Sequence, residues 1–226
     1  MEDLRGAFTQ ITGIIWSVGL PAAAGVGVCS QKIVVLVLGQ QWAEATAILQ
    51  ILAVGGALQI LNANTGYVFL AIDRGRFLCV TSLLNITIFV AAAVALLRPF
   101  GMVGFAGAEA MATFPVLLIV YGALRAWVGV SVTEIALRNW RVVAATGAMA
   151  WIVSTFQVHV VDSLNFPLAG KLVLLVGLGA SSYVVLLGAI WILTGTRAGP
   201  EEFFASLARK VCTRIFQHAK SRIRFS

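Results

Sequence analysis

The chain has 226 residues, of which 60% are hydrophobic and 11% are charged, and its mean hydropathy is +0.95. This small number of charged residues cannot cover the surface of a water-soluble domain of this size. The composition therefore predicts an all-α, polytopic membrane protein. The formal net charge of +7 does not indicate nucleic-acid binding, because the basic residues fall between apolar runs and in the C-terminal tail.

Two apolar segments near the N-terminus are joined by a very short turn. The first contains Pro21 and ends at Gly39, and a helical pattern restarts at Ala43. Glycine is common at helix C-termini, where a positive φ is often needed. Trp42 suits the headgroup level of a membrane, because its ring is amphipathic. These residues predict two membrane helices connected by a tight interfacial hairpin.

A membrane-spanning helix needs about 20 apolar residues, and six segments of the chain meet this requirement. They are residues 11–38, 45–71, 77–97, 102–124, 142–161 and 168–194. We therefore expect residues 1–196 to form a six-span bundle. Residues 197–226 are expected to form a basic amphipathic helix that lies on the anionic inner leaflet as a cytoplasmic tail.

The distribution of Lys and Arg predicts the orientation of these spans. If six spans alternate, 13 of the 16 basic residues fall on one side, and only Lys32, Arg98 and Lys171 fall on the other. The positive-inside rule then places both termini in the cytoplasm.

The connection between the fourth and fifth spans carries a helix signal of its own. Ser131-Val132-Thr133-Glu134 fits a capping box, in which the Ser and Glu side chains each bond to the other residue's backbone amide. The pattern predicts a short helix that starts near Val132 and is anchored at the cytoplasmic interface.

Polar side chains inside the spans are costly and are therefore candidates for function. Glu109 and Lys32 each lie roughly 10 to 12 Å from the same membrane surface, when counted from the nearest turn at 1.5 Å per residue. They are expected either to have a structural role, as an ion pair or by snorkelling to the interface, or to serve transport, with Glu109 gating the protein or binding a proton. Several polar residues would form interhelical hydrogen bonds or line a water-filled wall for sugar hydroxyls; they are Gln59, Asn62, Asn64, Thr65 and Tyr67 in the second span and Asn85 in the third. The predicted substrate-binding set is Lys32, Asn62, Asn64 and Glu109.

The fourth span opens with Gly101, Gly104 and Gly107, and Ala108 and Ala112 extend this run of small residues. No strand precedes the run, so it is not a dinucleotide-binding fingerprint, and it predicts close helix packing instead. The three cysteines are scattered without a CxxC motif, so we expect no metal site, disulfide framework or cofactor.

Several short segments, taken in order, resemble a known transporter family. They are Leu20-Pro21 with Ala24-Gly25, residues 33–39, Trp42-Ala43, residues 48–53, Asp73-Arg74-Gly75-Arg76, Phe100-Gly101-Met102-Val103-Gly104 and Val128-Gly129-Val130-Ser131. Over about residues 3–195 their order and spacing are similar to the C-terminal part of Wzx-type polysaccharide flippases, in the multidrug/oligosaccharidyl-lipid/polysaccharide exporter superfamily.

The resemblance implies a transporter, not an enzyme, in a bacterial inner membrane. It would move an undecaprenyl-diphosphate-linked oligosaccharide to the periplasmic leaflet by alternating access, for exopolysaccharide, O-antigen or lipopolysaccharide biosynthesis. The family has two six-helix lobes around a central, often cationic cavity, and only about half of such a protein is expected here. The implied partners are the lipid-linked oligosaccharide, membrane lipids, and a separate N-terminal lobe polypeptide or a second copy.

Two alternatives remain open at this point. The chain is also compatible with a structural membrane subunit or an inactive truncated fragment, for which the faces of small residues suffice. An integral-membrane glycan polymerase or transferase is the other alternative. Such an enzyme needs clustered acids or histidines at a membrane face, whereas the nine acids of this chain are dispersed.

Overall fold

The computed structural model describes residues 2–161 and 166–194, and all regular structure in these ranges is helical. The elements are α1 (Glu2–Val37), a 3₁₀ turn (Gln40–Trp42), α2 (Ala45–Asn62), α3 (Thr65–Ala71), α4 (Gly75–Val128), α5 (Val132–Phe156) with a π-helical turn (Gln157–Val161), and α6 (Leu168–Thr194). Five helical segments within these ranges are long and apolar enough to cross a membrane. The predicted all-α membrane bundle is confirmed, and the predicted tail helix lies outside the described residues.

Helix α4 contains two of the predicted spans, separated by a sharp break. A straight helix of its 54 residues would be about 80 Å long, against a hydrocarbon core of about 30 Å. Gly101 has φ 58° and ψ −140°, a conformation that glycine adopts without steric cost. The rings of Phe89 and Phe105, on either side of the break, are 5.5 Å apart. The limbs 75–100 and 102–128 therefore lie side by side as a helical hairpin, and each matches one predicted span.

The hairpin predicted near the N-terminus is also present. Helix α1 ends at Val37, Gly39 has φ 94°, and α2 starts at Ala45. Trp42 is 55% exposed in the turn, as expected for an interfacial residue. The turn before α4 has a positive φ at a residue other than glycine, Asp73 (φ 57°), and Asp is one of the few residues that tolerate this conformation.

One end of the bundle is rich in arginine. The guanidinium of Arg74, in the turn before α4, lies 4.6 Å from the ring centroid of Trp127 near the end of α4. Arg5 at the start of α1 donates a hydrogen bond to Glu134 at the start of α5. These contacts, with the short connection from α4 to α5, bring four helix ends to one end of the bundle: both ends of α4 and the starts of α1 and α5. The arginines in these segments are Arg5, Arg74, Arg76, Arg125, Arg138 and Arg141.

Helix α5 begins where the sequence predicted a helix, at Val132, but two details of the prediction are wrong. The helix is not a short separate element, because it continues without a break to Phe156. The capping box does not form either: the Ser131 Oγ is 2.7 Å from the Thr133 Oγ1, and Glu134 is engaged by Arg5. Because the Glu134 carboxylate is bound to Arg5, it is not available to the backbone N–H of Ser131, as a capping box requires.

The prediction of close packing by small residues in the fourth span holds for one of its faces. Gly104, Ala108 and Ala112 are spaced by four residues and are buried. A side chain at position 104 would collide with the carbonyl oxygen of Leu96, in the other limb of the hairpin. Gly107 points elsewhere, because a Cβ at that position would have no neighbour within 4 Å. Gly104 is thus the residue that lets the two limbs approach.

Two tyrosine hydroxyls donate hydrogen bonds to backbone carbonyls that lack a partner within their own helix. Pro21 lacks an N–H, so the carbonyl of Ser17, four residues earlier in α1, loses its intrahelical partner. Tyr183 of α6 donates to that carbonyl at 2.7 Å. The gap between α2 and α3 frees the Leu61 carbonyl, and Tyr121 of α4 donates to it at 2.7 Å. In each case a side chain of a neighbouring helix supplies the missing hydrogen-bond donor, as a membrane interior without water requires.

Candidate functional site

The most distinctive polar contact within the spans joins Gln59 of α2 to Glu109 in limb 102–128. The Gln59 Nε2 donates to the Glu109 Oε1 at 2.7 Å. The Cγ of Glu109 would be 3.7 Å from a Cβ at Gly55, which is buried one turn before Gln59. Gly55 therefore leaves room for the glutamate side chain to lie across α2.

The ion pair between Glu109 and Lys32, one of the two expectations for these residues, does not form. Among the described residues Glu109 has no ion pair, and its hydrogen bond is with Gln59. A Cβ at Gly27 of α1 would be 3.5 Å from the Cβ of Ala53, which sets the register of α1 against α2. At 1.5 Å per residue, Lys32 and Gln59 lie on opposite sides of that level, roughly 16 Å apart along the helices.

Similar distances from the Gly39 and Gly101 turns would place Lys32 and Glu109 at one depth only if both turns lay at the same level of the membrane. The packing of α1 against α2 places Lys32 roughly 16 Å from Gln59, the partner of Glu109, so the two turns do not lie at one level. Lys32 is instead buried, with 6% of its surface exposed, one turn from Cys29 on α1.

Asn62, a predicted substrate-binding residue, makes a local contact at the break between α2 and α3. Its Oδ1 accepts a hydrogen bond from the Thr65 Oγ1 at 2.7 Å, and the same hydroxyl lies 2.9 Å from the Asn62 carbonyl. Asn64 occupies the position just before α3, where its side chain makes no capping bond. The structure therefore brings neither asparagine to the pair formed by Gln59 and Glu109.

Gln59 was predicted as one of the polar residues of the second span, but it was left out of the predicted substrate-binding set. The sequence shows it as one of several amides in the second span, but its partner lies 50 residues further along the chain. The available signal was the spacing of Gly55 and Gln59, which places a small residue and an amide on one face of α2.

No family model, curated protein or solved structure matches the chain. The comparisons therefore assign it neither a family nor an activity.

An apolar groove between α1, α2 and α5 is separate from this polar pair. Its volume is about 540 Å³, within the range of ligand pockets. Small and apolar side chains line it, with Gln50 and Thr146 as the polar exceptions; they include Ala24, Gly27, Ala53, Ala57, Gly147 and Ala150. The groove suits a hydrocarbon chain, whereas the contact between Gln59 and Glu109 offers hydrogen bonds to a polar group.

Proposed function

We propose that this chain is the C-terminal bundle of a flippase for undecaprenyl-diphosphate-linked oligosaccharide in a bacterial inner membrane. One observation carries the proposal: several of the segments on which the family resemblance rests coincide with the breaks of the bundle. Gly39 and Trp42, residues 73–76, residues 100–104 and residues 128–131 all lie at or beside turns between spans. Turns determine how consecutive spans pack, so turns of similar sequence at similar spacing support a similar bundle.

The polar and apolar surfaces of the bundle support a ligand of mixed chemistry. Glu109 and Gln59 would bind sugar hydroxyls, since a carboxylate accepts hydrogen bonds and an amide both donates and accepts them. Lys32 would attract the diphosphate, and Asn62 and Asn64 would contact the glycan when the bundle changes conformation. The groove between α1, α2 and α5 would hold part of the isoprenoid chain.

The arginine-rich end of the bundle supports an orientation. Basic residues accumulate on the cytoplasmic side of membrane proteins, so this end would face the cytoplasm. Helices α1 and α5 both start there, which fits an N-terminus in the cytoplasm and an even number of spans between their starting points. The C-terminal tail would then also be cytoplasmic.

Reconstitution tests the proposal directly. Purified chain is placed in liposomes with a fluorescent undecaprenyl-diphosphate oligosaccharide, alone and together with an N-terminal lobe polypeptide of the same family. A membrane-impermeant quencher then reports how fast the labelled sugar changes leaflet. We expect faster exchange than in protein-free liposomes, and a loss of at least about tenfold in Glu109→Gln, equivalent to about 1.4 kcal/mol in the barrier.

Glu44→Gln is the matched control, because Glu44 lies at the exposed start of α2 and should leave the rate unchanged. Exchange no faster than in protein-free liposomes, in both preparations, would refute the transport proposal. Covalent extension of the labelled glycan would favour the polymerase alternative instead.

A further inference from the structure

The break between α2 and α3, which interrupts the span Ala45–Ala71, differs from the other breaks of the bundle. Within residues 2–161, the breaks after α1, before α4, within α4 and after α4 each contain a residue with positive φ: Gly39, Asp73, Gly101 and Gly129. A right-handed helix cannot continue through such a residue. Between α2 and α3, Ala63 (φ −56°, ψ −30°) and Asn64 (φ −103°, ψ −5°) both keep the negative φ of a right-handed helix.

The local sequence does not require this break either. The stretch from Leu61 to Thr65 contains neither proline nor glycine, which are common causes of a sharp kink. A change of about 40° in φ and in ψ at Asn64 gives the dihedral angles of a regular helix. The N–H of Thr65 would then donate to the Leu61 carbonyl, as in any continuous helix. The N–H of Gly66 would donate to the Asn62 carbonyl in the same way.

Two side-chain hydroxyls hold the broken form. The hydroxyl of Tyr121 donates to the Leu61 carbonyl at 2.7 Å. The hydroxyl of Thr65 lies 2.9 Å from the carbonyl and 2.7 Å from the side-chain oxygen of Asn62. These are the two carbonyls that a continuous helix would pair with backbone N–H groups. Because a membrane interior offers them no water, the broken form depends on the hydroxyls and the continuous form does not.

Pro21 in α1 is the contrasting case. There too a tyrosine hydroxyl, that of Tyr183, donates to a backbone carbonyl, that of Ser17. Because Pro21 has no N–H, no backbone donor is able to replace the tyrosine in α1. Thr65 does have an N–H, so at the break between α2 and α3 the hydroxyl of Tyr121 is replaceable.

The two sides of the break are held unequally. Three of the seven residues of α3 are buried, among them Phe69, whose ring centroid is 4.9 Å from that of Phe77 in α4. Among the 18 residues of α2, Gly55 is the one that is buried. A rotation at the break therefore leaves α3 in the core and moves α2.

We propose that the break between α2 and α3 is a hinge that alternates between this broken form and a continuous helix. Gln59 lies about 7 Å along α2 from the break, and its partner Glu109 belongs to the same limb as Tyr121. Rotation of α2 at the hinge therefore changes the contact between Gln59 and Glu109. A ligand that binds these two side chains in one form more tightly than in the other shifts the hinge toward that form.

The hinge deepens the proposed function and rests on it for its purpose. Alternating access requires two conformations of the bundle, and transporters place their substrate sites at interrupted helices. Here the interruption lies one turn from the polar pair. Its closure also turns Asn62 and Asn64, the two asparagines of the proposed site, relative to α4.

Pulsed electron paramagnetic resonance on the full chain in lipid vesicles tests the hinge. Spin labels are placed at Glu44→Cys and at Val94→Cys, which is 66% exposed in limb 75–100, after the three native cysteines are replaced by Ala. Glu44 lies about 28 Å along α2 from the break, so a small rotation at the hinge gives a large change in distance. We expect two distances, one for each form.

Substitutions at the hinge should change the proportion of the two distances. Tyr121→Phe and Thr65→Val each remove a donor that the broken form alone uses. One such hydrogen bond within a membrane is worth about 3-fold in an equilibrium (about 0.6 kcal/mol). We expect each variant to raise the population of the continuous form relative to the broken form about 3-fold, and the double variant about 9-fold. Adding Asn64→Ala, which removes no capping bond and favours a helix, should bring the change to about 20-fold.

Tyr183→Phe is the matched control, because it removes a tyrosine hydrogen bond of the same length at Pro21, where the helix has no N–H to close with. We expect it to change the proportion of the two distances by less than 2-fold. A single distance in all variants, including the triple one, would overturn the hinge, since the two hydroxyls would then be structural only. Equal changes in Tyr183→Phe and Tyr121→Phe would overturn it as well.

These outcomes are independent of transport. A hinge that responds as expected in a chain that does not move lipid-linked sugar would refute the proposed function alone. Sugar movement by a chain whose two labels keep one distance would refute the hinge and leave the flippase standing.

Discussion

The hydrogen bond between Tyr183 and Ser17 allows a sharp test of how the bundle tolerates a proline in α1. Tyr183→Phe removes the hydroxyl and leaves the Ser17 carbonyl without the donor that lies 2.7 Å away. Ser17 is buried, with 4% of its surface exposed, so water does not readily replace the lost donor. An unpaired buried carbonyl costs about 1 to 3 kcal/mol, and side-chain hydrogen bonds in membranes contribute up to about 1.7 kcal/mol. We expect Tyr183→Phe to lower the free energy of unfolding by about 1.5 kcal/mol.

The physical reason is tested by repeating the substitution in a Pro21→Ala background. The restored N–H at position 21 is able to bond to the Ser17 carbonyl within the helix, so the tyrosine hydroxyl becomes redundant. We expect Tyr183→Phe to cost less than about 0.5 kcal/mol there, which gives a coupling energy of about 1 kcal/mol in a double-mutant cycle. Unfolding of the purified chain in mixed micelles with increasing SDS measures all four free energies. Equal losses in both backgrounds would show that the hydroxyl does not compensate for the proline.

Three further substitutions test the packing of the bundle by the same unfolding assay. Gly104→Ala should destabilise the chain by about 1 to 3 kcal/mol through overpacking of the hairpin. Gly107→Ala is the control: its added methyl meets no neighbour within 4 Å, so it should be neutral or slightly stabilising. Equal effects of the two substitutions would refute the collision of a side chain at position 104 with the Leu96 carbonyl. Phe69→Ala, at a fully buried ring 4.9 Å from that of Phe77, should cost about 3 to 5 kcal/mol, and a cost below 1 kcal/mol would contradict its place in the core. Arg74→Gln removes the cation above the Trp127 ring and should cost about 0.5 to 1 kcal/mol; a loss that persists when Trp127 is also replaced by Leu would show another origin.

The turns of the bundle were predictable because their signals are local. Gly39 and Gly101 separate apolar runs that are each long enough to span a membrane, and both have positive φ in the structure. The fold class followed from the same runs. The start of α5 at Val132 was also correct, since Ser131 and its neighbours favour a helix N-terminus. In each case the residues that decide the structure are within a few positions of one another.

The candidate site was only partly predictable. Glu109 was singled out because a carboxylate within a span is rare and costly, and it does make a polar contact. The ion pair with Lys32, one of the alternatives for Glu109, was wrong, because the sequence does not show that Gln59 lies at the level of Glu109 and that Lys32 does not. Asn62 was grouped with the site although its hydrogen bond is with Thr65, three residues away.

The amino-acid sequence by itself determined that this protein is an all-α membrane bundle and where several of its turns lie. These properties depend on hydrophobicity and backbone preference, which act over one or two helical turns. Tertiary structure alone decided which groups meet: Gln59 with Glu109 across 50 positions, Arg5 with Glu134 across 129, and Ser17 with Tyr183 across 166. Where water is absent, a polar group takes the partner that helix packing brings within reach, and that packing is a property of the whole bundle.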